Sequence, residues 1–104
     1  VDWIVTNPPY SDFNRFLEHA FSIADNIVLL VPVAKMFKSI GTLTSIYNYG
    51  GFVSIYTLPA SKAGFPFGFP CAVYYIKRGY EGMTEICPLI DNNFKPQLLK
   101  KDLI

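Results

Sequence analysis

Asn7-Pro8-Pro9-Tyr10 is the pattern in this chain best suited to chemistry. Two successive prolines fix φ and remove two N–H donors, so the carbonyls of Asn7 and Pro8 can be held outward instead of entering a helix. The side-chain oxygen of Asn7 and the carbonyl of Pro8 then form a preset pair of acceptors. Their natural partner is a planar exocyclic amine with two hydrogens to give. Tyr10 adds a flat aromatic face on which a planar group can stack. Four residues alone also describe a proline turn. The context separates the two readings: an apolar run precedes the motif and an amphipathic pattern follows it, and the carboxyl end of a strand is where open α/β sheets place their ligands.

The elements that must position this motif follow from periodicity. Residues 1–6 read as a buried strand. Ser11 stands as the N-cap of a helix in which Phe13, Phe16, Leu17, Ala20, Phe21 and Ala24 share one face, with Asn14, Arg15, Glu18, His19 and Ser22 on the other. Residues 27–33 form an uninterrupted apolar run of the kind found in a parallel strand covered on both faces, ending near Pro32. Met36, Ile40, Leu43 and Tyr47 repeat helical spacing up to a stop at Gly50-Gly51. Residues 52–58 and 71–77 read as two further strands joined as a hairpin, and residues 83–90 add a short strand. Between the hairpin strands lies a segment, residues 59–70, with three prolines and two glycines around Phe65, Phe67 and Phe69. Loops seldom carry so much aromatic surface without cause.

With these elements in place, the chain resembles the amino-group methyltransferases that use S-adenosylmethionine. Within them it is most similar to the adenine-N6 DNA methyltransferases, whose catalytic motif is Asp/Asn/Ser-Pro-Pro-aromatic. Asn7, Pro8, Pro9 and Tyr10 match that motif at every position, and the strand order over residues 1–79 fits the second half of a Rossmann-like methyltransferase sheet. In that sheet strands four, five, seven and six lie side by side, the seventh antiparallel. The resemblance implies an α/β fold and methyl transfer from S-adenosylmethionine to a flipped adenine, with Asn7, Pro8, Pro9 and Tyr10 catalytic and Asn7 also touching the cofactor. It further implies a base clamp made by Tyr10 and one of Phe67 and Phe69, with Phe65 a weaker candidate. Lys62 is a candidate phosphate contact in the same loop. The source implied is a bacterial or phage restriction-modification system. Two other substrates share related motifs, the glutamine side chain of proteins (N5) and guanine-N2 of RNA. A nonenzymatic remnant or assembly module is the third reading.

The same resemblance exposes what these residues lack. The family carries a glycine loop that holds the cofactor and an acid that holds its ribose, and no Gly-x-Gly occurs in the 104 residues. The chain is therefore expected to be a single partial domain, residues 1–104, with residues 80–104 as a C-terminal extension. Alone it should bind S-adenosylmethionine weakly or not at all. Its expected partners are DNA, through the complete enzyme, and either a missing N-terminal half or a second copy across the edge of the first strand.

Composition narrows the remaining classes. A length of 104 residues, 51% hydrophobic, suits one small globular domain. The longest apolar stretch falls far short of the ~20 residues of a membrane span. A net charge of +1 lacks the strongly basic footprint of autonomous DNA binding. Cys71 and Cys87, with only His19 elsewhere, support no metal site and read as core thiols of a cytoplasmic protein. His19 reads as a solvated surface residue. Lys35 and Lys38 read as a solvated pair, with phosphate contact as the alternative.

Overall fold

Phe13, Leu17, Ala20 and Phe21 recur at three- and four-residue spacing, which aligns them on one side of a helix. In the structure, a computed structural model that describes residues 1–8, 11–58 and 70–88, they form the buried face of α1 (Phe13–Ile23). Ala24 is buried just beyond it and Phe16 half-buried beside it. The elements follow in the order β1 (Trp3–Thr6), α1, β2 (Asn26–Pro32), α2 (Val33–Met36), α3 (Ile40–Tyr49), β3 (Gly50–Leu58), β4 (Cys71–Arg78) and β5 (Glu85–Pro88).

The strands make one mixed sheet in the order β1-β2-β4-β3-β5. β1 runs parallel to β2, β4 lies antiparallel between β2 and β3, and β5 adds to the far edge parallel to β3. The expected side-by-side set of four strands is thus present, with the hairpin formed by β3 and β4. Register sorts the side chains onto two faces. Ile4 stands opposite Ile27, Ile27 opposite Ile76, and Leu29 opposite Tyr74, which in turn faces Ile55. With Phe52, Val31 and Ala72 these residues form the core beneath the helices. A bulge between Phe52 and Ser54 inserts one extra residue into β3, which lets Phe52 and Ile55, three apart in sequence, both face that core.

Four expectations change. β1 is shorter than residues 1–6; it lies at a sheet edge, as expected of these residues without a further half, and Trp3 (53% exposed) and Val5 (71%) are open there. β2 alternates instead of being covered on both faces: Ile27, Leu29 and Val31 are buried while Val28 and Leu30 are half-buried. The N-cap of α1 is Asp12, not Ser11, and its side chain makes no capping bond; the carboxylate leans instead toward Arg15 at 3.8 Å. The helical pattern running from Met36 to Tyr47 is two helices. Ser39, in extended conformation, accepts from the backbone N–H groups of Gly41 and Thr42 and starts α3 afresh. The new start changes the phase, so Thr42 and Ile46 face the core while Ile40 (86% exposed) and Tyr47 (60%) turn outward.

Arg78, at the end of β4, ties the far side together. Its Nε donates to Asp25 at 2.8 Å, and its Nη2 donates to the carbonyls of Phe21 and Ala24 at 2.8 and 2.9 Å. The guanidinium lies 4.9 Å from the ring centre of Tyr49, which stacks on Phe21 and donates its hydroxyl to Ala24 O. A single cation thereby satisfies carbonyls at the C-terminal end of α1, where helices leave acceptors unpaired.

Candidate functional site

Asn7 leaves β1 directly after Thr6, so the motif begins at the carboxyl end of that strand. Pro8 is buried and Asn7 exposed. Pro9 and Tyr10 lie outside the described residues.

Several chain ends meet at this end of the sheet. β2, parallel to β1, finishes there at Pro32. Antiparallel pairing places Cys71, the first residue of β4, beside both Pro32 and Leu58, the last residue of β3. The N–H of Val33 donates to the carbonyl of Pro70 at 3.1 Å. Both anchors of the phenylalanine-rich segment, Leu58 and Pro70, therefore stand at the same end as Asn7. Lys62, Phe65, Phe67 and Phe69 themselves lie outside the described residues.

Just past the motif, the start of α1 faces α2 and the start of α3 across a cavity of about 250 Å³. Its walls come from Ser11 to Asn14 on one side and from Lys35, Lys38, Ser39 and Thr42 on the other. The hydroxyl of Thr42, a buried residue, donates to Asn14 Oδ1 and joins α1 to α3. Lys35 and Lys38, read from the sequence as a solvated pair, thus line a shaped space. The sequence signals for the rest of this wall were present but unread. Ser39 two residues before Gly41 is a helix start, and a helix start there must bring Thr42 toward the core.

Other candidates carry less. Burial pushes the Cys71 thiol above its ordinary 9.0, which keeps it protonated and poorly nucleophilic although it stands at the right end of the sheet. Cys87 is buried on β5, and His19 is exposed on α1. Among the described residues, no helix is long and apolar enough to cross a membrane.

No protein-family model matches the sequence. No curated protein matches it either. Among solved structures, the chain is similar to a Listeria monocytogenes protein assigned as a class I S-adenosylmethionine-dependent methyltransferase, with a TM-score of 0.62 and 17% identity. The match covers 85% of this chain and 29% of that one. At this identity the likeness shows the fold. The fold is the α/β arrangement of a Rossmann-like methyltransferase sheet, with β1, β2, β4 and β3 in the places of its fourth, fifth, seventh and sixth strands.

Proposed function

We propose that these residues are the amine-binding part of a DNA adenine-N6 methyltransferase that transfers a methyl group from S-adenosylmethionine to a flipped adenine. The observation that carries the reading is the position of Asn7-Pro8-Pro9-Tyr10, directly after the carboxyl end of a strand in a sheet of methyltransferase order.

The nitrogen of an aminopurine is a poor nucleophile because its lone pair is delocalised into the ring. When Asn7 Oδ1 and the Pro8 carbonyl accept its two hydrogens, the nitrogen is drawn toward tetrahedral geometry and the lone pair is localised. The ring of Pro8 fixes its φ before the substrate arrives, so the contribution is one of positioning and preorganised electrostatics. S-adenosylmethionine supplies an electrophilic methyl group on sulfur. Of the residues needed to seat it, only Asn7 is a candidate here, and no Gly-x-Gly is present. These residues do not by themselves fit the cofactor, and the derivation is confined to the amine. In this reading the glycine loop comes from outside these 104 residues, and the chain alone binds S-adenosylmethionine weakly or not at all.

The test is methyl transfer in the complete enzyme. Labelled cofactor should deliver label to adenine-containing duplex DNA, and Asn7→Ala should lower turnover by on the order of a hundredfold, the cost of removing one preorganised contact, with little change in cofactor binding. Label appearing on glutamine-containing protein or on RNA guanine, and not on DNA, would move the chain to another substrate. Unchanged turnover in Asn7→Ala would remove the catalytic assignment.

A further inference from the structure

The cavity between α1, α2 and α3 has a lining of one chemical character. Lys35 and Lys38 bring two positive charges, and among the described residues neither takes part in an ion pair. The hydrogen bond from Thr42 occupies Asn14 Oδ1, so the amide N–H groups are the function Asn14 has left to offer a ligand. Ser39 Oγ accepts from two backbone N–H groups, which leaves its O–H as a donor. Ser11 adds a second hydroxyl. The one acidic group in the wall, Asp12, leans toward Arg15 at 3.8 Å, and that cation offsets part of its charge. The lining is rich in donors and positive in sum, which selects an anion.

Size and geometry narrow the anion. About 250 Å³ is below the ~300–1,000 Å³ of pockets that enclose a drug-sized ligand and close to roughly eight water volumes. A single tetrahedral group with part of its hydration shell fits such a space. No arginine fork for a planar carboxylate lines the space; two ammonium point charges suit a phosphate. The backbone amides that open α3 are already capped by Ser39, so the lysines, the asparagine amide and the hydroxyls supply the binding.

We propose that Lys35 and Lys38, with Asn14 and Ser39, form a seat for one backbone phosphate of a nucleic-acid strand. Ser11 follows Asn7 by four residues, and four residues span at most ~14 Å. The seat is therefore close enough for a nucleotide whose amine lies at Asn7 to place a neighbouring phosphate in the cavity. The phosphate preference stands on the cavity alone; its assignment to the strand that carries the amine rests on the proposed function.

The experiment uses the 104-residue chain, isotope-labelled, with amide chemical shifts as the readout. Inorganic phosphate at constant ionic strength should shift Asn14, Ser39, Gly41 and Thr42, and a short single-stranded oligodeoxynucleotide should shift the same amides at lower concentration. Lys35→Gln with Lys38→Gln should weaken the oligonucleotide by roughly ten- to a hundredfold, the loss expected when hydrogen bonds to a charged group are removed. It should also reduce the salt dependence by about 0.7, the slope for one phosphate on a single strand. Lys77→Gln, an exposed lysine of β4, is the control for loss of charge alone and should leave the shifts in place. Asn7→Ala should leave the shifts caused by inorganic phosphate in place, which separates failure of the amine seat from failure of the phosphate seat. No response of the four amides to either probe, or equal affinity and slope in the double variant, overturns the proposal. A response to inorganic phosphate without one to the oligonucleotide overturns the assignment to a strand.

Discussion

Removing the hydroxyl of Tyr74 should stabilise the protein. Tyr74 is fully buried on β4, with its ring among those of Phe37 and Phe52 at centroid distances of 6.0 and 5.8 Å. Its hydroxyl has no hydrogen-bond partner among the described residues. In the unfolded chain that hydroxyl is bonded to water; a buried unsatisfied group of this kind costs ~1–3 kcal/mol. Tyr74→Phe keeps both ring contacts and deletes only the orphaned group, at the expense of a void smaller than a methyl group, which costs up to ~1 kcal/mol. The net expectation is a gain of about 1 kcal/mol, or ~4–8 °C in Tm for a domain of this size. Urea and thermal melts of the two proteins measure it. The pH dependence gives an independent check. Burial, with a smaller contribution from Cys71, holds the folded-state pKa of Tyr74 well above the ordinary 10.0. The unfolded chain therefore ionises this phenol first, and the wild type loses stability as pH rises past about 10. Tyr74→Phe lacks that loss, so its advantage should widen by ~1.4 kcal/mol per pH unit until the folded phenol ionises. A variant less stable than wild type by 1 kcal/mol or more at neutral pH would refute the reasoning, because it would mean that the hydroxyl has a partner.

Four further outcomes are expected. Gly50→Ala should be severely destabilising, since a Cβ there would stand 1.9 Å from the carbonyl of Lys77 and force β3 and β4 apart; circular dichroism melts report it. Ser39→Ala should cost ~1 kcal/mol through loss of the α3 cap, read as a lower urea midpoint with unchanged m-value. Arg78→Lys should cost more than an exposed charge swap, because an ammonium cannot make the four contacts to Asp25, Phe21, Ala24 and Tyr49 together; equal melting of the two proteins would show those contacts to be incidental. In the complete enzyme, Tyr10→Ala and Phe67→Ala or Phe69→Ala should weaken binding of a displaced adenine, with stacking contributing ~1–3 kcal/mol per base, and a fluorescent base analogue at the target position measures it.

Much of the fold was legible because its signals are periodic. The face of α1 follows from Phe13, Leu17, Ala20 and Phe21 alone, and the hairpin follows from two β-rich runs on either side of a sequence rich in proline and glycine. What escaped was phase and partnership. The apolar spacing from Met36 to Tyr47 is genuine, but one hydroxyl, Ser39, restarts the helix and rotates its buried side to Thr42 and Ile46; a sum over apolar residues does not register a cap. The alternation of β2 was hidden because Val28 and Leu30 are as apolar as Leu29, and only the cover on each face tells them apart. At the candidate site, the motif that starts at Asn7 is four consecutive residues, so its proposed chemistry can be read without the fold. The cavity was not, because Asn14 and Thr42 come together only when α1 packs on α3.

The position of β4 bears on how the chain is made. It is the fourth strand in sequence yet lies between the second and third, pairing residues 26–32 with 71–77 and residues 50–58 with 71–78. A chain growing from its N-terminus therefore emerges with β1, β2, β3, α1, α2 and α3 before the strand that joins β2 to β3 exists. Until Arg78 has left the ribosome, β2 and β3 each present an open backbone edge, and α1 lacks the side chain that closes its end. Sheet completion is a late event made of long-range pairings, which form slowly. During that interval the nascent chain is most exposed to pairing with a neighbour or capture by a chaperone.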